Sequence, residues 1–414
     1  MKRTYIRRAA ELVTCSGDKA KHGSEMKEVG IIKNGAVLIE DGHIALVGST
    51  EELDKKVDFQ TAELIDAGGQ AVLPGFVDSH THFLFGGYRA DEFGWRLQGE
   101  SYLSIMEKGG GINATVTPTR AASVKDFVAV GKERLDTMLR FGVTTVEGKS
   151  GYGMDKDTEL RMLRAMKILD ESHPVDVVRT FLGPHSVLPE WKGKEREFLN
   201  YMLTEVMPEV KKEDLAEFAD IFTETGVFNI EDSTWYLQEA KKLGFRLKVH
   251  ADEIAPNFGG SEMAVSCGAH SADHLLKASD EGIRRLAEGN TIATLLPLTA
   301  FCLKEPYAPA RKMIDAGCAV ALASDLNPGS CFSNSIPLLI ALGCIYMNMR
   351  IEEVVTALTL NGAAAVGREK EIGSIDPGKQ ADLIFLHYPS IQFLPYRTGV
   401  NIVSRVMKRG ELVI

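Results

Sequence analysis

The chain has 414 residues, 44% apolar and 25% charged, with a net charge of −10. That length suits a barrel of about 250 residues beside a smaller companion domain, and the composition is that of a globular protein whose core needs no covalent staples. The negative balance argues against nucleic acid or an anionic membrane surface as the main partner, while a small anionic substrate stays open because one local Arg outweighs the mean field.

The first residues, MKRTYIRRAAELV, are basic but lack an apolar stretch, so no signal peptide is expected. No run reaches the roughly 18 apolar residues of a membrane span. Cys15, Cys267, Cys302, Cys318, Cys331 and Cys344 form no C-x-x-C pair and read as thiols of a reducing compartment, which makes the cytoplasm the default. Residues 1–70 carry short β-like stretches; in AVLIEDGHIALVG (36–48), Asp41-Gly42 predicts a hairpin with a tight turn.

From residue 71 to 367, apolar strand-like runs alternate with helix-like segments. Eight strands are expected to end near FVDSH (76–80), TTVEGK (144–149), RTFLGPH (179–185), DIFTE (220–224), LKVH (247–250), SADH (271–274), TIATLLP (291–297) and VALASD (320–325). Between the first two, SVKDFVAVGKERLDTMLRFG predicts a helix with Ser123 as N-cap and Gly142 just past its end. Residues 368–414 return to β patterning. The expected fold class is α/β: a (β/α)8 TIM-like barrel over 71–367, with a small β-sandwich domain assembled from both chain ends, 1–70 and 368–414.

The polar residues then fall into a pattern. His80 and His82, two apart on the first strand, point to one face. His250 ends the fifth strand, His274 the sixth and Asp325 the eighth; His185 ends the third. In a parallel barrel these ends meet at one mouth. A lone H-x-H is weak and a lone Asp often caps a helix, but the joint pattern predicts a metal centre, and imidazole with carboxylate suits zinc or iron. The other five histidines, His22, His43, His173, His270 and His387, read as surface or structural residues.

PGFVDSHTH (74–82), KVHADE (248–253), SADH (271–274) and ASDLNPGS (323–330) resemble the amidohydrolase superfamily. More specific stretches, including GGYRADEF, GGGI and KSGYG within 80–153, resemble its branch that opens imidazolone rings in histidine degradation. The resemblance runs over residues 36–410 and implies metal-dependent hydrolysis of 4-imidazolone-5-propanoate to N-formimidoyl-L-glutamate. It implies one zinc or iron ion per subunit, held by His80, His82, His250 and Asp325. Many two-metal relatives bridge their ions with a carboxylated Lys at the end of the fourth strand. DIFTE offers none there, and Lys149 ends the second strand instead, so a single ion is expected.

On that reading Asp325 takes the proton of the attacking water and returns it to the leaving ring nitrogen. His274 stabilises the scissile carbonyl, and Glu253 hydrogen-bonds a ring N–H or helps activate the water. Arg89, in a Gly-flanked loop, is expected to clamp the substrate carboxylate. Tyr152, between two glycines, and His185 are expected to reach the substrate, with Tyr102 facing the same pocket. Asn327, Gly329 and Ser330 offer backbone N–H groups and a hydroxyl. The GGG at 109–111 reads as a tight loop without direct chemistry. Competing readings are another mononuclear amidohydrolase, such as an amino-heterocycle deaminase or a cyclic amidase, and a non-catalytic barrel, which the intact ligand set disfavours. A homodimer is the expected assembly.

Overall fold

The computed structural model describes residues 2–100, 104, 108 and 110–414. Its first strands are β1 (Arg3–Val13), β2 (Ile31–Glu40), β3 (His43–Ser49), β4 (Glu63–Asp66) and β5 (Ala71–Pro74). Asp41 (φ 45°) and Gly42 (φ 81°) both take the left-handed conformation that a two-residue turn between twisted antiparallel strands requires, so the β2–β3 hairpin forms where Asp-Gly predicted it. From the other end of the chain, β15 (Leu383–Leu386), β16 (Val403–Lys408) and β17 (Glu411–Leu412) complete one sheet in the order β17-β16-β15-β5-β1-β2-β3, with β4 also on β1.

The expected sandwich is thus one continuous sheet curled over on itself. A bulge in β1 between Ile6 and Ala9 bends it. Its β3 edge then meets the segment leading into β15, where Ile44 N–H donates to Lys379 O (2.8 Å) and Ala381 N–H to Gly42 O (2.9 Å). The enclosed core contains Ile6, Leu12, Val37, Val72, Leu383, Phe385 and Met407. The strand Ala71–Pro74 belongs to this outer sheet, not to the barrel, so the first crossing falls at Gly75. There a Cβ would lie 2.3 Å from Thr144 Oγ1, and only glycine lets the chain pass.

The barrel strands are β6 (Phe76–Asp78), β7 (Val143–Lys149), β8 (Asp176–Phe181), β9 (Phe218–Ala219), β10 (Phe222–Thr223), β11 (Arg246–Ala251), β12 (Ser271–His274), β13 (Ile292–Leu295) and β14 (Val320–Leu322). All are parallel, and β9 with β10 makes the interrupted fourth position. Each predicted strand is present. Between β6 and β7, the helix Val124–Arg140 starts on a reciprocal Ser123–Asp126 capping box and ends before Gly142 at φ 88°. The helix between β7 and β8, Lys156–Ser172, lays Leu160, Leu163, Met166 and Leu169 on the barrel, the three-residue spacing of one helical face.

No ladder joins β14 to β6; the loops beyond them close the barrel. Asp325 N–H donates to His80 O (3.0 Å) and His82 N–H to Leu326 O (2.9 Å). Ser324 donates from its backbone N–H (2.9 Å) and its hydroxyl (2.6 Å) to Asp78. Burial pushes the Asp78 carboxyl up to about 7, against the pull of those two donors. The two domains are pinned by Lys408, whose buried ammonium donates to Thr144 O (3.0 Å), Asp176 (2.6 Å) and Asp382 (2.6 Å). Lys408→Ala leaves the buried Asp382 without its cation, while Asp176 keeps Arg409 at 2.6 Å. It is expected to destabilise the protein by about 3–5 kcal/mol, read as a fall in the denaturant midpoint of unfolding.

Candidate metal centre

Period-two alternation decides what the barrel encloses. On β7, Thr145, Glu147 and Lys149 share one face while Val146 and Gly148 turn to the helices. Lys248 and His250 do the same on β11, Asp273 on β12 and Asp78 on β6, and His80 and His82 lie just beyond the end of β6. Glu147, Lys149, Lys248, Asp220 and Asp273 are all fully buried. Lys149 Nζ lies 2.7 Å from Asp220 Oδ2, 3.0 Å from Glu147 and 3.6 Å from Asp273. Lys248 Nζ lies 3.1 Å from Glu147 and donates to Ser79 O (3.1 Å) and Ala365 O (3.2 Å). Burial opposes the charge on Lys149, yet Asp220, Glu147 and Asp273 outweigh it and raise its pKa.

The metal-site histidines stand on this charged floor. His80 Nδ1 donates to Asp273 Oδ2 at 2.6 Å, and His250 Nδ1 lies 3.1 Å from Asp220 Oδ2. The first contact fixes the His80 tautomer and leaves Nε2 a bare lone pair, buried and without a hydrogen-bond partner. That lone pair faces Asp325 Oδ1 at 3.6 Å, His82 Nε2 lies 3.6 Å from the same oxygen, and His250 Nε2 lies 3.3 Å from His82 Nε2. Acceptors so aimed repel one another unless a cation lies among them. Ligands about 2.1 Å from a tetrahedral zinc stand about 3.4 Å apart, so this donor set fits a divalent metal cofactor. Burial, followed by Lys149 for His80 and His185 for His82, holds both imidazoles well below their usual pKa and hence neutral. Burial pushes Asp325 up to about 6, tempered by the Thr299 hydroxyl that donates to it at 2.6 Å.

Other candidates surround this set. His274 (φ 80°) offers a ring nitrogen within 4.8 Å of those of His80 and His250, and its Nδ1 lies 3.6 Å from Glu253. Burial, then the charges of Asp325 and Glu224, pushes Glu253 up to about 8. Glu253 stands in a loop whose N–H groups at 253, 254 and 255 all donate to the Glu224 carboxylate (3.1, 2.8 and 3.2 Å). His185 stacks on His82, with ring centroids 4.7 Å apart and planes 9° from parallel, and its Nδ1 lies 3.1 Å from Gly151 O. Tyr152 packs against both His82 and His185, close enough to Asp325 and Arg89 to sense both charges.

Two expectations change. The N–H groups of Gly329 and Ser330 are already taken by Asn327 Oδ1 (2.9 and 2.8 Å), while Asn327 Nδ2 donates to Asp325 O and Ser330 Oγ. Asn327 therefore shapes the loop rather than offering its amide to a ligand, because an Asx side chain reaches its own backbone first. Arg89 is not a free fork: its Nε and Nη2 pair with Glu92. Tyr102 lies outside the described residues, as does Gly109 of the glycine run. Sequence reasoning missed Glu147, Asp220, Lys248 and Asp273. An available signal was even spacing along one strand for two of them, Lys248 two residues before His250 and Glu147 two before Lys149; Asp220 and Asp273 show no such spacing.

The Amidohydrolase family model matches residues 71–413. The chain is 60% identical over 407 residues to an imidazolonepropionase of Parabacteroides distasonis, covering 98% of each chain. It is 55% identical to imidazolonepropionases of Clostridium tetani, over 99% of this chain and 97% of the relative, and of Porphyromonas gingivalis, with the same coverage. Among solved structures, an E. coli guanine deaminase superposes with a TM-score of 0.71 at 14% identity, covering 100% of this chain and 99% of that one. A zinc-bound adenosine deaminase from Xanthomonas campestris gives 0.68 at 19% identity, covering 99% and 92%. At such identities these two likenesses speak to fold alone.

Two outcomes follow from the geometry. Asp273→Asn removes the charge from the acceptor that fixes His80 and is expected to weaken metal retention roughly 10- to 100-fold, measured by competition with a chromogenic chelator. Metal binding requires Asp325 ionised, and the folded apo-protein holds that proton up to about pH 6. Protons therefore compete at Asp325 below that value, where His80 and His82 are already neutral. Apparent metal affinity is expected to fall by up to about tenfold per pH unit below pH 6, read from metal titrations at pH 5 and pH 7.

Proposed function

The chain belongs to the amidohydrolase family, and from that premise we propose that it carries out the imidazolonepropionase reaction, opening 4-imidazolone-5-propanoate with water to give N-formimidoyl-L-glutamate. It is a hydrolase of a carbon–nitrogen bond in a cyclic amide. The supporting observation is convergence: His80, His82, His250 and Asp325 form one buried cluster, and Asp325 and Arg89 both lie close enough to Tyr152 to act on it, in a chain akin to imidazolonepropionases along nearly its whole length. A divalent zinc or iron ion, one per subunit, would be held by those four side chains and would supply Lewis-acid activation of water at neutral pH.

The remaining chemistry belongs to the protein. Two carboxyl groups with separated pKa values divide the acid and base work. Asp325, at about 6, is ionised at neutral pH and accepts the proton of the attacking water. Glu253, at about 8, is protonated there and donates a hydrogen bond to the ring. As the amide C–N bond breaks, Asp325 delivers its proton to the leaving nitrogen, which restores the carboxylate and balances the addition of one water. His274 faces the carbonyl oxygen on which negative charge develops. Tyr152 and His185 line the substrate's ring, and Arg89 takes the propanoate. The setting is the cytoplasm, to which six unpaired thiols are suited, and the assembly a homodimer.

The test is turnover of freshly generated 4-imidazolone-5-propanoate, followed by its ultraviolet absorbance with and without a chelator. Chelator-sensitive decay above the spontaneous rate is expected. No turnover by metal-replete protein would return the assignment to a deaminase or cyclic amidase. Arg89→Ala is expected to raise KM by about tenfold or more while leaving kcat within a few-fold; a fall in kcat alone would remove Arg89 from the carboxylate.

A further inference from the structure

Glu92 has no part in the proposed chemistry, yet it is 8% exposed and fully engaged. It lies on the helix Ala90–Leu97, one turn beyond Arg89. Its Oε2 accepts Arg89 Nε at 2.9 Å, and its Oε1 accepts Arg89 Nη2. The same Oε2 accepts the N–H of Gly111 at 2.8 Å, tying the glycine run to the helix. Arg89 is thereby gripped along one edge of its guanidinium, and Nη1 projects over Gly329, where a Cβ would fall 2.3 Å from it. One turn further on, Arg96 Nη2 donates to Gly329 O at 2.9 Å. Between the helix and the 328–333 loop lies a cavity of about 270 Å³, lined by Tyr88, Arg89, Phe93, Gly329, Ser330 and Phe332.

We propose that Glu92 is a positioning residue for substrate recognition, presetting Arg89 so that the substrate's propanoate meets one fixed guanidinium edge. The inference rests on the assignment of Arg89 to the substrate carboxylate. A long Arg side chain gives up much rotamer freedom when it binds an anion; here the bidentate grip has already removed it. The charge count agrees. Arg89, Glu92 and Arg96 together carry one net positive charge, which matches a single carboxylate arm and discriminates against an uncharged one.

A double-mutant cycle with two ligands tests this on the metal-loaded protein. Binding of 3-(imidazol-4-yl)propanoate and of its primary amide is measured by calorimetry, and KM and kcat are measured with 4-imidazolone-5-propanoate. Glu92→Ala is expected to weaken the propanoate and raise KM about tenfold, with kcat within about twofold and amide binding unchanged. Arg89→Ala combined with Glu92→Ala is expected to be no worse than Arg89→Ala alone, since one residue acts through the other. Glu92→Gln, which keeps an acceptor for Gly111 N–H and one guanidinium N–H, is expected to fall between wild type and Glu92→Ala, and carries the same cycle should the alanine variant fold poorly. Additive losses in the double variant, or equal losses for propanoate and amide, overturn the proposal. If the wild type binds the propanoate over the amide but turns over no imidazolone, the reaction is wrong while the cycle still reads the role of Glu92.

Discussion

Five charged groups sealed inside the barrel, Glu147, Lys149, Asp220, Lys248 and Asp273, constrain everything above them. Charges deprived of water persist only when each meets opposite charge or a hydrogen-bond partner. The two ammoniums meet that condition by spanning the three carboxylates, and two of those carboxylates then face the metal-site histidines. Asp273 sets the tautomer of His80 and Asp220 lies against His250, so the directions of their lone pairs are decided below the mouth, before any ligand arrives. A neutral floor would hold the same imidazoles without choosing which nitrogen carries the proton.

The mouth is ordered by a related device. Three loops at the mouth each donate backbone N–H groups to one side-chain acceptor. Glu224 collects those of 253–255, and Glu159 those of Gly153 and Met154 beside Tyr152. Asn327 collects those of Gly329 and Ser330. Irregular backbone at a barrel mouth has no ladder to satisfy it, and a buried acceptor supplies the missing partner. The resulting stiffness supports left-handed backbone at Asp325 (φ 51°) and His274 (φ 80°), a conformation that costs free energy for residues with a Cβ and persists only where its surroundings over-determine it.

Burial also divides labour among the carboxyl groups. Burial lifts both, but the Thr299 hydroxyl and the Lys149 charge help hold Asp325 near 6, whereas Glu253, facing the charges of Asp325 and Glu224, rises to about 8. At neutral pH one is therefore ionised and able to accept a proton while the other is protonated and able to donate a hydrogen bond, from environment alone. Arg89 shows the converse case. Its own carboxylate partner, Glu92, lowers the local field but fixes the direction in which the remaining charge points.

Much of this was legible in the residues. The barrel followed from alternating strand and helix patterns, the β2–β3 hairpin from Asp41-Gly42, and one helix start from Ser123, because local backbone preferences and apolar periodicity act over a few residues. The clustering of His80, His82, His250 and Asp325 followed from their places at or just beyond strand ends, since a parallel barrel brings those ends to one mouth whatever its details. The curled outer sheet and the crossing at Gly75 depend on pairings between the two ends of the chain, which local pattern does not encode. The same holds for the partners of side chains. Lys149 read as a residue in the wrong place until Asp220, seventy-one residues away in the chain, was seen to bond it, and Arg89 read as a free clamp until Glu92 and Gly329 closed around it. Residue order alone was enough to gather the mouth's histidines, carboxylates and Arg89. Which of them are already spoken for emerged from the folded chain, because a hydrogen bond or ion pair depends on distances between segments that the chain's order leaves open.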